Sequence, residues 1–569
     1  MKCGGAEGAQ RRPGGMHYGG LIRTVLVLTV LICSGFTTTA SIGVLVIGLR
    51  SGAGYDAPFL WRLGVKGLVF GCAFAASGWV LRWGGRLPDA RRPAELPPER
   101  VSWRAWLGLL AAAGAAMALV FPNLDRYPKA EPDEMHHLVV ARNLAEYGLY
   151  ASGHPAAGFE LFDRYDSVGP PVIVPVAVSM RLGADQFVAA RLTMAVYFVL
   201  LCLSVFFFCR PVFGAWAAVC SVFMVLMALM SVYLGRSVYG EAPAFLFAVV
   251  GLTFWRGALR AEKRAFWGVL AGAAFGLAVL CKPFLLMGVW AVAGALAFDR
   301  VSYRIVRLRH VLLPLFGYGL MVGCWWLVKA VFQHDAAQAA QTTLVEYQHN
   351  LVFGFASFVR TSGWIVGQPA TLIGAVIALL LVLPVIFRHN YDPPTIVLFF
   401  AALFFTYWWL FFTTGLHGRY MWYTCAITQI FAGVLLAVSA RQALDLAKPP
   451  RVRTVYAALA CLVVVPALAR THREVKLIRG HDGMGDAIAL AGFVRTLPED
   501  TRIAALDWPL QRTLNFFAGR HVEVVKRVPT SSDEWDVLLA DTRVQRALLE
   551  GREADRAFGD YGVLFLKGP

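Results

Sequence analysis

The sequence predicts a polytopic α-helical membrane protein with a long first outer loop and a small α/β domain outside the membrane at its C-terminal end. Of the 569 residues, 58% are hydrophobic and only 16% are charged, and the mean hydropathy is +0.58. Such a chain is too apolar for a soluble globular protein. About 13 apolar segments approach the ~20 residues that a helix needs to cross a bilayer. Basic residues cluster in alternate loops between these segments, which is typical of the cytoplasmic side of a multi-pass protein.

The predicted spans follow the apolar runs of the sequence. They lie near 24–48, 62–82, 105–121, 188–209, 212–232, 241–258, 265–281, 284–298, 311–332, 363–387, 395–413, 420–440 and 454–470. Threading them in order puts the N-terminus in the cytoplasm and the C-terminal domain outside an inner (plasma) membrane. The net charge of +17 is therefore a topology signal, and nucleic acid is not predicted as a partner. The ten cysteines show no CxxC or CxxH spacing, which argues against a disulfide framework or a cysteine zinc site.

Three regions follow from this threading. Residues 1–102 form an N-terminal arm, a two-helix hairpin and a cytoplasmic linker, and residues 103–470 form the transmembrane core. Residues 471–569 form the external domain. Its pattern predicts helices at 486–497 and 533–549 and strands at 502–506, 521–528 and 562–566.

The first outer loop, residues 122–187, contains the most polar stretch of the core. At 131–144 it begins a short helix, because Pro132 suits a first helical position and the following apolar residues recur at helical spacing. Asp133 and Glu134 then fall in the first turn, where the helix dipole favours carboxylates. Asp133 and His137 share a face of this helix. A pair of acids that merely caps a surface helix is the plainer interpretation.

Other charged residues fall at the same level of the membrane. They are Asp166 in the first outer loop, Arg236 and Lys282 at the outer ends of later spans, Arg419 and Tyr420 before the span at 420–440, and His349 and Arg360 in a second outer loop at 333–362. Each residue alone is compatible with snorkelling at a helix end. Together they predict one external polar site, with the second outer loop as a possible lid. A half-length apolar segment at 172–180 is too short to span the bilayer and would form the floor of this site.

Several of these motifs resemble those of the GT-C membrane glycosyltransferases. The Asp-Glu pair is followed by Ala-Arg-Asn-Leu at 141–144, by Gly-Pro-Pro at 169–171, and by a polar opening of the next span at 186–192. Lys-Pro at 282–283 and Gly-Arg-Tyr at 418–420 are similar to patterns in the same group. The protein O-mannosyltransferases, the lipid A aminoarabinose transferases and related bacterial lipopolysaccharide sugar transferases are the members that it resembles most.

The resemblance covers roughly residues 103–440, and the chain departs from it in two places. Bacterial members commonly have Lys-Pro-Pro where this chain has Gly169, so a phosphate-binding lysine expected there is missing. The two N-terminal spans have no counterpart in the minimal family core. The first departure affects the contacts to the donor and the second leaves the fold intact.

The resemblance implies an inverting glycosyltransferase that moves a sugar from a polyprenyl-phosphate donor to a hydroxyl of a lipid, a cell-envelope glycan or a protein. The leaving phosphate monoester has a second pKa near ~6 and departs without a general acid. The reaction therefore needs a carboxylate base and cations for the phosphate. The expected base is Asp133. Glu134 is expected to orient the acceptor or to support the base, and Asp166 is a second-carboxylate candidate beside His137. The donor phosphate is expected to bind Arg236, Lys282 and Arg419, with Tyr420 beside them.

No cofactor is certain, but a divalent metal is possible because Asp133, His137 and Asp166 could form a His and carboxylate site. Two other classes of protein compete with the transferase. A secondary transporter or lipid flippase has a similar number of spans, yet transporters tend to place charged sites near the bilayer midplane, whereas here the charge lies at span ends. A non-enzymatic scaffold would leave the acids of the first outer loop unexplained.

Overall fold

The computed structural model describes residues 102–156, 158–162, 168–228, 230–260, 264–302, 304–332, 392–412, 418–480, 484–506, 508–525, 535–541, 554–558 and 560–566, with positions 27, 29, 30 and 33. The spans predicted at 62–82 and 363–387 lie outside these residues, as does nearly all of the one at 24–48. The outer loop at 333–362 and the segment around Asp166 lie outside them too.

The described helices confirm a multi-pass membrane architecture. Eight helices within the described residues are long and apolar enough to cross a membrane, and three shorter apolar helices accompany them; the total of 13 spans stays a prediction. The helices up to the C-terminal region are α1 (Trp103–Val120), α2 (Pro132–Tyr147), α3 (Pro170–Leu182), α4 (Gln186–Phe213), α5 (Ala215–Leu226), α6 (Ser231–Leu234), α7 (Glu241–Arg260), α8 (Arg264–Cys281), α9 (Val289–Ser302), α10 (Arg309–Phe332), α11 (Pro393–Phe412), α12 (Gly418–Leu444) and α13 (Pro450–Gly480). A 3₁₀ helix, Pro283–Gly288, joins α8 to α9.

The span predicted at 212–232 is interrupted. Helix α5 ends at Leu226, and Met230 adopts a left-handed conformation with φ of 61° before the short helix α6. The hydroxyl of Ser231 donates to the carbonyl of Val225 at 2.8 Å and accepts from the indole of Trp422 at 3.0 Å. These bonds satisfy a carbonyl at the end of α5 and fix the turn. The chain then passes over α1 and α2 before α7 begins.

The half-length segment at 172–180 forms α3, a helix of 13 residues. At 1.5 Å per residue it is about 20 Å long, so it is too short to cross a bilayer. Two prolines, Pro170 and Pro171, begin it, which suits a first helical turn because prolines lack the N–H that would otherwise be unpaired there.

A buried ion pair fixes α7 to α11 at the end of the bundle opposite α2. The guanidinium of Arg256 contacts the carboxylate of Asp392 at 2.7 Å and donates to the carbonyl of Phe208 on α4 at 2.6 Å. The hydroxyl of Thr395 also donates to Asp392 at 2.7 Å. Buried charges of this kind are tolerated only when their remaining hydrogen-bonding positions are occupied.

The C-terminal region contains a mixed five-stranded sheet. Strands β1 (Ala151–His154) and β2 (Gly158–Leu161) form a separate antiparallel hairpin after α2. The sheet has the order β4-β3-β5-β7-β6, with β3, β4 and β5 parallel and β5, β7 and β6 antiparallel. Its elements are α14 (Gly485–Thr496), β3 (Ile503–Ala505), α15 (Trp508–Phe517), β4 (Val522–Val524), β5 (Val537–Asp541), β6 (Arg556–Phe558) and β7 (Tyr561–Phe565).

The helix predicted at 533–549 is wrong where the structure describes it, because Val537–Asp541 is the central strand of this sheet. Residues 537 to 540 are all buried, so the segment has no polar face that could reveal its period. A short apolar run of this kind suits a central strand as well as a helix. Residues 542–549 lie outside the described part of the chain.

Helix α2 shares one hydrophobic core with the C-terminal sheet region. Leu138 and Val139 of α2 belong to the same cluster of buried side chains as Leu490 of α14 and Leu514 of α15. The guanidinium of Arg142 also donates to the carbonyls of Asn515 and Phe516, at 2.9 and 3.1 Å. The helix that carries Asp133 is therefore held between the membrane helices and this region.

Candidate active site

Helix α2 begins as the sequence predicts. Glu131 is its N-cap residue, Pro132 follows, and Asp133 and Glu134 occupy the first turn. Gly148, with φ of 71°, ends the helix in the left-handed region that glycine adopts without strain. The two acids of the first turn have opposite surroundings, because the Asp133 side chain is 37% exposed while Glu134 is fully buried.

Glu134 forms a buried ion pair with Arg191 of α4. Its two carboxylate oxygens accept from Nε and Nη2 of Arg191 at 2.9 and 2.8 Å, and the backbone N–H of Val238 donates to Oε1 at 3.0 Å. Arg191 also donates to the carbonyl of Leu124 at 2.9 Å and lies 4.2 Å from the ring centre of Phe187. This geometry argues against direct contact of Glu134 with an acceptor, and it shows that the carboxylate joins α2, α4 and the loop before α7.

Asp133 instead points to Arg419 at the start of α12. Oδ2 of Asp133 lies 2.5 Å from Nη2 of Arg419, and the same guanidinium is 3.7 Å from the carboxylate of Glu131. Glu131 also accepts from the hydroxyl of Tyr239 at 2.8 Å. Two partly exposed carboxylates and one buried arginine therefore form a single polar edge on α2.

Lys282 lies on the same side of the bundle, at a break between α8 and the 3₁₀ helix. Helix α8 ends at Cys281 because the residue before a proline is disfavoured in a helix, and Pro283 follows Lys282. The chain of Gly240 passes so close that a Cβ atom there would lie 2.1 Å from the carbonyl oxygen of Cys281. The ammonium of Lys282 lies 3.3 Å from Oε1 of Glu241, so the close approach sets α7 and Lys282 side by side.

The charges around Asp133 favour its ionised form. Burial raises the pKa of Asp133, but the positive charge and hydrogen bond of Arg419 and the charge of Lys282 outweigh burial, so the pKa is lowered from 3.8. The carboxylate is therefore ionised at neutral pH and accepts a proton only when the surrounding charges change or the reaction supplies one.

His137 is neutral in the fold. Burial, with the positive charges of neighbouring groups, lowers its pKa from 6.5 to about 3. Its Nδ1 lies 2.9 Å from the carbonyl of Val238, and because a carbonyl can only accept, Nδ1 carries the proton. The structure therefore brings Asp133, His137, Lys282 and Arg419 into one electrostatic cluster.

The remaining residues of the predicted site are Arg236, Tyr420, Asp166, His349 and Arg360. Arg236 is fully buried, and its guanidinium donates to the backbone carbonyls of Leu119, at 3.1 Å, and Pro122. It caps the end of α1, and this position argues against contact with a donor phosphate. The backbone of Tyr420 lies in the first turn of α12, but its side chain is outside what the structure describes. Asp166, His349 and Arg360 lie outside the described residues.

The described residues alone do not form a metal site. No group of three His, Cys, Asp or Glu side chains within them is placed to hold a metal ion. Asp133 and His137 share a helix face, but the guanidinium of Arg419 lies against Asp133 where a cation would bind. The third predicted ligand, Asp166, is outside the described chain, and the metal site stays a prediction.

An apolar cavity of about 250 Å³ lies between α7, α8, α10, α11 and α12. Tyr423 and Leu285 line it at the end near Lys282, and Trp255 and His310 line it at the opposite end. Ten residues of α7 separate Phe245 from Trp255 along this wall, so the cavity extends for about 15 Å through the bundle. A cavity of this shape and lining suits a hydrocarbon chain.

The multi-pass fold, with a partly exposed carboxylate beside two cations, agrees with the GT-C glycosyltransferase class that the sequence motifs predicted. Residues 169–328 match the family described as dolichyl-phosphate-mannose-protein mannosyltransferase. This match bears out the resemblance that the sequence motifs indicated, and the structural similarities below concern the fold. A search of curated protein sequences found no significant match.

The solved structures that are similar to this chain include the following three. ArnT from Cupriavidus metallidurans bound to undecaprenyl phosphate has 15% identity and a TM-score of 0.56, over 82% of this chain and 99% of that chain. Its apo state has 16% identity and a TM-score of 0.55, over 82% and 100%. The archaeal oligosaccharyltransferase AglB from Archaeoglobus fulgidus, in complex with an inhibitory peptide and a dolichol-phosphate, has 12% identity and a TM-score of 0.51, over 78% and 70%. At these identities the similarity establishes the fold.

The roles of three residues near Asp133 are not evident from the sequence. Arg191 was assigned no partner, although an arginine near the start of an apolar helix requires a counter-charge. Glu131 was assigned no role at Arg419, and Glu241 none beside Lys282. No local signal identifies these pairs, because Arg191 and Glu134 are 57 residues apart along the chain.

Proposed function

We propose that this enzyme transfers a sugar from a polyprenyl-phosphate donor to a hydroxyl acceptor, with inversion at the anomeric carbon, at the outer face of an inner membrane. One observation supports this function above the others. The partly exposed carboxylate of Asp133 contacts Arg419 and lies within electrostatic reach of Lys282, and residues close to these two cations in the chain, Leu285 and Tyr423, line an apolar cavity that suits a lipid chain.

The proposed donor site has an apolar and a polar part. The polyprenyl chain occupies the cavity between α7 and α12, and the phosphate lies at its polar end between Lys282 and Arg419. An ammonium and a guanidinium together can balance the charge of a phosphate, and the guanidinium can do so with two parallel hydrogen bonds. The similar ArnT structure contains undecaprenyl phosphate and the AglB structure a dolichol-phosphate, which supports a lipid phosphate as the donor's carrier.

In the proposed reaction, Asp133 takes the proton from the acceptor hydroxyl as its oxygen attacks the anomeric carbon. The bond between this carbon and the phosphate oxygen breaks, and the oxygen leaves with the electron pair as polyprenyl phosphate. The phosphate gains one negative charge in this step, and Lys282 and Arg419 stabilise it. Displacement from the opposite face inverts the configuration at the carbon. The protonated Asp133 then returns its proton to solvent.

The acceptor is proposed to approach along the exposed edge of Glu131 and Asp133, and it is a hydroxyl of a lipid, a cell-envelope glycan or a protein. A secondary transporter or flippase is the alternative. The charged residues of the described bundle lie at its ends, with Glu131, Asp133, Lys282 and Arg419 at one end and Arg256 at the other. Transporters tend instead to place such residues at the midplane, so the transferase is favoured.

The test is transfer of radiolabel from a panel of polyprenyl-phosphate sugars to membrane lipids, glycans and proteins. Asp133→Asn keeps the size of the side chain but removes the base, so a loss of about 10²–10⁴-fold is expected. Asp125→Asn, in the exposed ion pair with Arg126 on the same loop, is the matched control and keeps wild-type activity. Equal activity of Asp133→Asn and wild type would refute Asp133 as the base. If wild type consumed no donor in a broad panel, the transporter would become the better hypothesis.

A further inference from the structure

Glu241 is a buried carboxylate that the proposed reaction does not use. It begins α7, is fully buried, and neither of its oxygens has a hydrogen-bond partner among the residues that the structure describes. The ammonium of Lys282 lies 3.3 Å from Oε1, which is an ion-pair contact. The helix dipole at the start of α7 favours a negative charge there.

A buried carboxylate of this kind destabilises the fold. Moving a carboxylate out of water destabilises the folded state. A single ion pair does not offset this cost when lone pairs of the carboxylate stay without hydrogen bonds. Most buried polar groups in proteins are hydrogen-bonded, and the exceptions require an explanation. Stability alone therefore does not explain Glu241.

The neighbouring Lys282, which is also buried, explains why a carboxylate is present at Glu241. Its side chain is 7% exposed, and an ammonium at such a position needs a counter-charge to stay ionised and in place. Gly240 packs closely against the backbone of Cys281. The residues that follow these two, Glu241 and Lys282, are therefore held at a fixed separation. The buried hydroxyl of Tyr423, which lines the apolar cavity, lies within electrostatic reach of Glu241.

We infer that Glu241 is a positioning residue that keeps Lys282 charged and directed at the lipid phosphate. The inference rests on the proposed function and deepens it, because it names the group that prepares the phosphate site before the donor arrives. Glu241 itself touches neither the sugar nor the acceptor. Its carboxylate acts through the lysine, and the lysine acts on the phosphate.

Binding of undecaprenyl phosphate to the purified full-length protein in detergent, followed by tryptophan fluorescence, tests this inference. Glu241→Gln should weaken binding about 10- to 100-fold, as expected when a charge-assisted contact to the phosphate is lost. Glu241→Asp keeps the charge but retracts the carboxylate, so it should bind with intermediate affinity, and it serves if the Gln variant does not fold. Asp392→Asn removes the buried carboxylate at the other end of α7 and should leave the affinity unchanged while lowering thermal stability.

A second comparison separates positioning from packing. In a Lys282→Arg background, Glu241→Gln should change the affinity by less than about threefold, because a guanidinium stays charged without a carboxylate partner. An equal loss in both backgrounds, or a Glu241→Gln variant that binds as tightly as wild type or more tightly, would overturn the inference and leave the proposed function standing. A wild-type protein that neither binds undecaprenyl phosphate nor transfers a sugar would overturn both.

Discussion

The two adjacent acids of α2 offer a sharp test, because the structure assigns them different tasks. Asp133 is partly exposed beside Arg419, and Glu134 is fully buried against Arg191. Replacing each by its amide changes one atom and one charge at neighbouring positions. Asp133→Asn should lose activity and keep stability, whereas Glu134→Gln should lose stability and keep the activity of the molecules that remain folded.

The loss of stability expected for Glu134→Gln follows from the contacts that Glu134 makes. The amide of Gln would keep one acceptor for Arg191 or Val238 but would turn its NH₂ group toward a donor. Arg191 would keep its hydrogen bond to the carbonyl of Leu124 and its contact with Phe187 but would become a buried charge without a carboxylate. Breaking a buried ion pair in this way costs about 3–5 kcal/mol. That is a large part of the ~5–15 kcal/mol by which a typical domain is stable.

The assay is thermal unfolding in detergent, detected with a thiol-reactive fluorophore. Cys202, Cys209 and Cys281 are buried and become reactive only on unfolding, so the rise in labelling above the folded-state level reports unfolding. Glu134→Gln should unfold at a clearly lower temperature than Asp133→Asn. Adding Arg191→Met to Glu134→Gln should recover most of the stability, since removing both charges of a buried pair is often neutral. A Glu134→Gln variant with wild-type stability and lost transfer activity would refute the structural role.

Two further outcomes are expected. Gly240→Ala would place a methyl group 2.1 Å from the carbonyl oxygen of Cys281, so it should displace Lys282 and lower kcat/KM for the donor at least tenfold, about 1.4 kcal/mol, in the transfer assay; wild-type kinetics would contradict this. Burial lowers the pKa of His154, whose Nε2 lies 3.2 Å from the carbonyl of Gly519. In the unfolded chain the histidine binds a proton near its ordinary pKa of 6.5, whereas in the fold the half-buried neutral ring accepts at Nδ1 from the backbone N–H of Ala156, so its contribution to stability is fully present above that pH and decreases as the pH falls below it. Hydrogen-exchange protection of β1 and β2 should therefore decrease between pH 7.5 and 5.5, and His154→Gln should remove that dependence.

The sequence predicts features with local causes. Helix α2 was predicted because Pro132 begins it and its apolar residues have helical spacing, and the break at Lys282 follows from Pro283. The multi-pass fold was predicted because the spans are long and apolar. Each of these signals lies within about 20 residues of the feature that it predicts.

Features that depend on distant partners were not predicted. Arg236 was expected at the phosphate because its charge falls at the right level of the membrane, but two backbone carbonyls at the end of α1 bind its guanidinium. Glu134 was expected to orient the acceptor or to support Asp133, but Arg191 binds its carboxylate. The order of spans along the sequence predicts the depth of a charged residue in the membrane. The packing of the helices decides which way its side chain points.

The core that α2 shares with the C-terminal region has a consequence for how this enzyme can be altered. Leu138 and Val139 belong to the same buried cluster as Leu490 and Leu514, so part of the apolar surface of the helix bearing the proposed base is covered by the sheet region. Removing residues after α13 would uncover that surface, and grafting the region from another enzyme would require matching side chains on α2. The two segments should therefore change together in evolution, and a chimaera that joins them from different parents should fail unless α2 is exchanged as well.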